Sequence, residues 1–364
     1  MDIFKPLPNL GEEKLHPKFK LLRDDLAVER NIITTWAQDF IDRDNKIVEE
    51  FQTTFHSSFF EFYLYSYLKS QNFLLNSQHY APDFILLNPH NYIEAVVANI
   101  KQNGPQEHLR TVEDLFSMLT PPWKHKNFPM ELDEAIVRCS NALHYKSEKY
   151  LKEYTNLSWI NKNVPFSIAI ASFDQINYGR EFIYPMMALL YGLYFDSNNK
   201  TYVKRNTIIK PGTNSEIDIG LFLKPEYKHI SAIIFTCSLT LGKLTSLAIS
   251  NNNFTVNQVY IVRENCSGQG PHYQLQIVTP DNPELLSDGL FVFHNPLADN
   301  PFDETLFQMT TQFFYENGEI MISGIETPIV SRLNIFPNTI PFVEITEAIR
   351  AYNQLGLLEF YDFN

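Results

Sequence analysis

Three carboxylates stand in apolar surroundings over one short stretch of the chain. Glu61 lies inside Phe59-Phe60-Glu61-Phe62-Tyr63-Leu64, Asp83 follows Pro82 and precedes Phe84-Ile85, and Glu94 stands within Tyr92-Ile93-Glu94-Ala95-Val96-Val97. Acids are rare in such company unless they are paired or hold something. Carboxylates that converge on one point suit a hard divalent cation. Mg2+ takes oxygen ligands, usually one or two carboxylates, with waters and substrate phosphate completing its shell. Mg2+ or Mn2+ held by Glu61, Asp83 and Glu94 would neutralise charge building on a phosphodiester and activate water. A lysine nearby would stabilise the same charge, and Lys146 is the candidate. Each residue also has a plainer reading. Glu61 reads equally as a core acid paired with an arginine or a backbone donor, Glu94 as an acid on a sheet edge, and Lys146 as a cation whose stem covers apolar surface.

The elements that must position these groups follow from hydrophobic spacing. Residues 46 to 75 read as one long helix: Phe51, Phe55, Phe59 and Phe62 form a stripe, and Phe60, Leu64 and Leu68 cover another face. Residues 83 to 99 read as two strands joined at Asn88-Pro89-His90-Asn91, a hairpin that would present Asp83 and Glu94 together. Glu131 to Tyr154 reads as an amphipathic helix with Ile136, Cys139, Leu143, Tyr150 and Tyr154 on one face. Lys146 falls at the border of that face, while Arg138 and Lys149 point further out. Val164 to Phe173 is short, continuous and apolar, as a buried central strand should be.

The order of a helix bearing Glu61, a Pro82-Asp83 step, and a strand bearing Glu94 resembles the PD-(D/E)xK nuclease superfamily. The resemblance covers residues 55 to 175. It implies a restriction-endonuclease-like mixed central sheet flanked by helices, in which paired acids bind Mg2+ or Mn2+ to hydrolyse nucleic acid. It implies that Asp83 and Glu94 are the metal-binding acids and that Glu61 is the acid of the first helix. The chain departs from the motif at its lysine, since Val96 stands two residues after Glu94. Some members carry that lysine on a neighbouring helix, which implies Lys146, with Lys101 in the following loop as the weaker substitute.

Composition bounds the rest. A length of 364 residues with 44% hydrophobic and 14% aromatic residues supports a large, ring-rich core and argues against disorder. The net charge of -13 argues against a protein that coats nucleic acid non-specifically, because phosphate binding is driven by Lys and Arg. Cys139, Cys237 and Cys266 have no metal-ligand spacing and suit a reducing cytoplasm. The opening Met1 to Pro6 lacks the pattern of an export signal, and the apolar run from Met186 to Phe195 is too short to span a membrane.

The expected organisation is an α/β unit with a helical lead-in over 1–45, a nuclease-like domain over 46–300, and a mixed extension over 301–364. Within it, 23–41 and 178–195 read as helices. Strands are expected over 202–209, 217–223, 231–237, 258–262, 274–278 and 290–294, and helices again over 307–315 and 345–358. Glu216 and Asp218 share one strand face and form a second acidic pair, more in keeping with a solvent face. Three functions fit: a metal-dependent nuclease acting on DNA or RNA, a catalytically inactive binding module on the same fold, and another metal-dependent hydrolase using the same acids.

Overall fold

The computed structural model describes residues 1–99, 111, 114, 118–172, 180–253 and 255–335, together with the backbone of 358–360. Four helices open the chain: α1 (Pro17–Asp24), α2 (Ala27–Trp36), α3 (Ile47–Thr53) and α4 (His56–Ser70). The single helix expected over 46–75 is therefore two. Phe55 divides them at φ +65°, a left-handed conformation that costs an L residue energy. Its fully buried ring compensates by stacking on Phe51 and Phe59, with centroids 5.2 and 5.1 Å away.

The expected hairpin forms from β1 (Phe84–Leu87) and β2 (His90–Val97), antiparallel, with Phe84 opposite Ile93 and Ile85 opposite Tyr92. The segment before it turns back along β1: Asn76 N donates to Ile85 O and Leu87 N to Leu74 O, which covers the edge of the sheet. Helix α5 (Phe128–Lys152) then carries the chain over to β3 (Phe166–Ala171), parallel to β2 with Glu94 beside Ile168. Most of the loop expected over 99–129, Lys101 included, lies outside the described residues.

Helix α6 (Tyr184–Tyr191) is shorter than the helix expected over 178–195. Gly192 ends it at φ +69°, where a Cβ would approach Arg205 O to 2.8 Å, and β4 (Leu193–Asp196) follows at once. The strand expected over 202–209 is two, β5 (Thr201–Lys204) and β6 (Thr207–Ile209), and β7 (Glu216–Asp218) stops before Gly220 turns the chain into a 3-10 turn over Leu221–Leu223. Next come β8 (Ala232–Thr236), α7 (Leu241–Ser250), β9 (Gln258–Glu264), β10 (Tyr273–Ile277) and β11 (Phe291–His294). β12 (Thr311–Glu316), β13 (Glu319–Gly324), β14 (Ile329–Ile335) and β15 (Leu358–Phe360) complete the chain order. The helix expected over 307–315 is a strand for most of its length, because Thr311 to Tyr315 is β-branched and aromatic and pairs on both sides. The helix expected over 345–358 falls on residues outside the described set except for Leu358, which opens β15.

These strands build a seven-stranded mixed sheet in the order β1-β2-β3-β8-β11-β12-β13 and a four-stranded sheet in the order β14-β9-β10-β15. The stretch after 301, expected to be an extension, supplies the far edge of the main sheet. Strand residues alternate between two cores. Ile93, Ala95, Val97, Ala169 and Ile234 pack under α2, α4 and α7, while Tyr92, Ile168, Ile170 and Phe235 pack under α5 and α6. Helices on both faces are why β3 and β8 are buried at every position.

A buried charge network joins the second sheet to α7. Lys243 Nζ donates to Glu284 Oε1 at 3.0 Å and to Asp288 O at 2.7 Å; Arg332 also pairs with Glu284, and Arg263 with Asp288. Burial alone would raise the Glu284 carboxyl, but Arg332 and Lys243 outweigh it and hold it at about 2. Among the described residues, no helix is long and apolar enough to cross a membrane.

Candidate active site

The hairpin register sets the site. Extended by one pair beyond Phe84 and Ile93, it places Asp83 opposite Glu94, with both side chains on the α5 face of the sheet. Two hydrogen bonds lock the pair: Asp83 N donates to Glu94 Oε2 at 3.3 Å, and Ala95 N donates to Asp83 Oδ2 at 2.7 Å. The loop entering β1 is held from outside by Arg43, which sequence reasoning did not single out. Its guanidinium donates to the carbonyls of His79, Pro82 and Asp83 at 2.6, 3.0 and 2.9 Å. Trp159 completes the support, donating to Ala81 O at 2.9 Å and stacking on His79 at 4.5 Å.

Glu94 is 1% exposed. An isolated carboxylate at that depth is untenable, and three donors converge on its Oε1. Lys146 Nζ is 2.7 Å away, Tyr154 OH 2.8 Å and Lys149 Nζ 3.3 Å. Burial raises the Glu94 carboxyl, but the two ammonium groups and the hydrogen bonds from Lys146 and Tyr154 outweigh it and hold the group below its usual range. Burial likewise works against the Lys146 charge, and Glu94 and Asp83 overcome it to raise the ammonium above the ordinary lysine value. Lys146, at the border of the α5 wheel, therefore turns its head into the site. Lys149, expected to point outward, reaches it as well. Spacing alone gives the reason: residues 146 and 149, one turn apart on α5, share a face.

Val96, half-buried, lies on the same face of β2 as Glu94, and the ammonium groups that meet Glu94 come from α5.

Asp83 and Glu61 are the acids without such relief. Burial raises Asp83 to about 6, the Glu94 charge adding to the effect and Lys146 opposing it. Glu61 on α4 is pushed well above its usual range, first by burial and then by Asp83. The three acids thus form a chain of like charges running from α4 across β1 to β2. Asp83 Oδ1 accepts no hydrogen bond among the described residues. Glu216 and Asp218, the alternative pair, are both exposed on β7, with Asp218 bridged to Lys224 at 2.8 Å, and form a solvent face.

The donor set suits a hard cation. Burial and mutual repulsion make Asp83 and Glu61 hold their protons more tightly than usual, and a bound cation would favour their ionised forms; Mg2+ needs only one or two carboxylates when phosphate and water supply the rest. Among the described residues no group of three His, Cys, Asp or Glu is arranged to enclose a metal by itself, and Glu94 is already committed to Lys146. Comparison with protein-family models, curated proteins and solved structures finds no match for the chain.

Proposed function

We propose that the chain is a metal-dependent phosphodiester hydrolase acting on nucleic acid, with Asp83 and Glu61 as the ligands of Mg2+ or Mn2+, Glu94 as the anchor of the site, and Lys146 as its cationic group. The observation that carries this reading is Lys146 Nζ at 2.7 Å from Glu94 Oε1, directly across the hairpin from Asp83. Two acids and a lysine are brought together although the strand itself lacks the lysine. The path α4, β1, β2, α5, β3, with β3 parallel to β2, supports a restriction-endonuclease-like core enlarged by further strands.

The bound cation would supply Lewis-acid neutralisation of the phosphate and a more acidic water. The chain's own groups do the rest. Glu94 fixes the Lys146 ammonium in a site too dry for it to be screened, so its charge acts strongly on a phosphate oxygen. Tyr154 and Lys149 saturate Glu94 and keep that geometry. Arg43 holds the Asp83 backbone still. Lys146 stays protonated and serves as an electrostatic group.

The commitment of Glu94 to three donors favours a second reading, a nuclease-fold binding module without catalysis. Cleavage separates the two. Wild type should hydrolyse single- or double-stranded substrates in Mg2+ or Mn2+, and Lys146→Met should lower the rate at least a hundredfold, in line with loss of one transition-state donor. A wild type inert with every substrate and metal would leave the binding module.

A further inference from the structure

Where α4 and the segment 73–77 meet the start of β1, a cleft of about 240 Å3 opens, lined by Asp83 but by neither Glu61 nor Glu94. It is smaller than the roughly 300–1,000 Å3 sites that enclose drug-sized ligands, and so fits one ring system. Three half-buried aromatic side chains, Phe40, Tyr65 and Phe73, form its walls. Phe40 and Tyr65 meet edge to face at 5.1 Å, and Tyr65 is fixed by its hydroxyl donating to Asp39 O at 2.7 Å. Ile41 and Leu74 stand at the rim, 55% and 64% exposed. The polar groups are few: the acid Asp83, Arg43 with its guanidinium on three carbonyls, Lys69 bridged to Asp39 at 3.0 Å, and Asn76 and Ser77, which bring amide and hydroxyl groups.

We infer that this cleft receives an unpaired nucleobase of the substrate strand, next to the phosphate that a cation at Asp83 would hold. The inference rests on the hydrolase reading and names its substrate: single-stranded nucleic acid, or a nucleotide turned out of a duplex. Aromatic walls stack on the flat face of any base. Amide and hydroxyl groups meet its edge. A base still paired in a duplex cannot enter, because it is stacked between its neighbours.

Fluorescence anisotropy in Ca2+, a hard cation that takes the same oxygen ligands, tests this with three labelled probes: a single-stranded oligonucleotide, the same strand with one abasic position, and the matching duplex. Ser77→Phe fills the cleft, and Phe73→Leu removes a wall while keeping bulk; thermal melts confirm that each variant folds. Single-strand affinity should fall about tenfold in each variant and on the abasic probe, the loss expected of one stacked base, while weak duplex binding stays unchanged. Equal affinity of wild type for single strand and duplex, or insensitivity to both variants, overturns the inference. If metal-dependent duplex cleavage persists in that case, the hydrolase reading survives without this cleft. Failure to bind any of the probes overturns the inference as well.

Discussion

At the residue scale, Asp83 and Glu94 have opposite energetics, and this separates a site from a structural ion pair. Asp83 holds its proton more tightly in the fold than in the unfolded chain, with a value raised from 3.8 to about 6. Its ionisation therefore costs stability, and the metal-free fold weakens as pH rises through that window. Asp83→Asn keeps an oxygen for Ala95 N and removes the charge. It should raise the metal-free melting temperature at pH 7.5 and abolish the Mg2+-dependent increase shown by wild type; a lower melting temperature in the variant would contradict this. Glu94 behaves in the opposite way, its carboxyl held below the usual range. It contributes stability above the unfolded-chain value that is lost as pH falls through the folded one. Glu94→Ala leaves Lys146 mostly buried without its partner and should cost about 3 kcal/mol in urea unfolding. A cost under about 1 kcal/mol would mean that Lys149 and Tyr154 had found other partners. The sequence exposed the acids because charge is conspicuous in an apolar run. Arg43 and Tyr154 stayed hidden, since an arginine between polar neighbours and a tyrosine on an apolar helix face carry no mark of the carbonyls or carboxylate they meet.

At the element scale, the hairpin, α5 and β3 were legible because each has an unbroken period of two or 3.6, or a short continuous apolar run. The errors cluster where backbone conformation overrides pattern. The phenylalanine stripe runs straight through Phe55, so nothing in the periodicity signals the break between α3 and α4. The break is worth its strain only through ring stacking. Phe55→Ala should then destabilise the protein by about 3 kcal/mol, the ordinary loss for a buried aromatic. A much smaller loss would mean that release of the φ +65° strain compensates the cavity. The strand β12 was misread because Phe307 to Tyr315 has apolar residues compatible with either period, and its partners β11 and β13 lie on both sides in space. Helix α7 went unread for a related reason: Gly242 interrupts its first turn, and its Lys243 is spent on a buried network that local pattern does not reveal.

At the scale of the whole molecule, a net charge of -13 and a nucleic-acid substrate are compatible only if cations are local. Arg43, Lys146 and Lys149 gather around the acids, on α5 and the loop between α2 and α3, while Lys69 of α4 is bridged to Asp39. Such a footprint engages few phosphates. The logarithmic salt dependence of single-strand binding should have a slope of about -2, corresponding to three neutralised phosphates; a slope near -10 would require a basic surface far larger than these three cations. The remaining strands, from β8 to β14, complete the main sheet and build the second, which α7 and the Lys243–Glu284–Arg332 cluster tie in place. The most direct test is cleavage by wild type and Asp83→Asn side by side, on single-stranded and duplex DNA and RNA, with Mg2+, with Mn2+ and with EDTA. The account predicts hydrolysis by wild type only when metal is present, and none by the folded variant. Equal cleavage by the two proteins, or wild-type cleavage undiminished in EDTA, would contradict it.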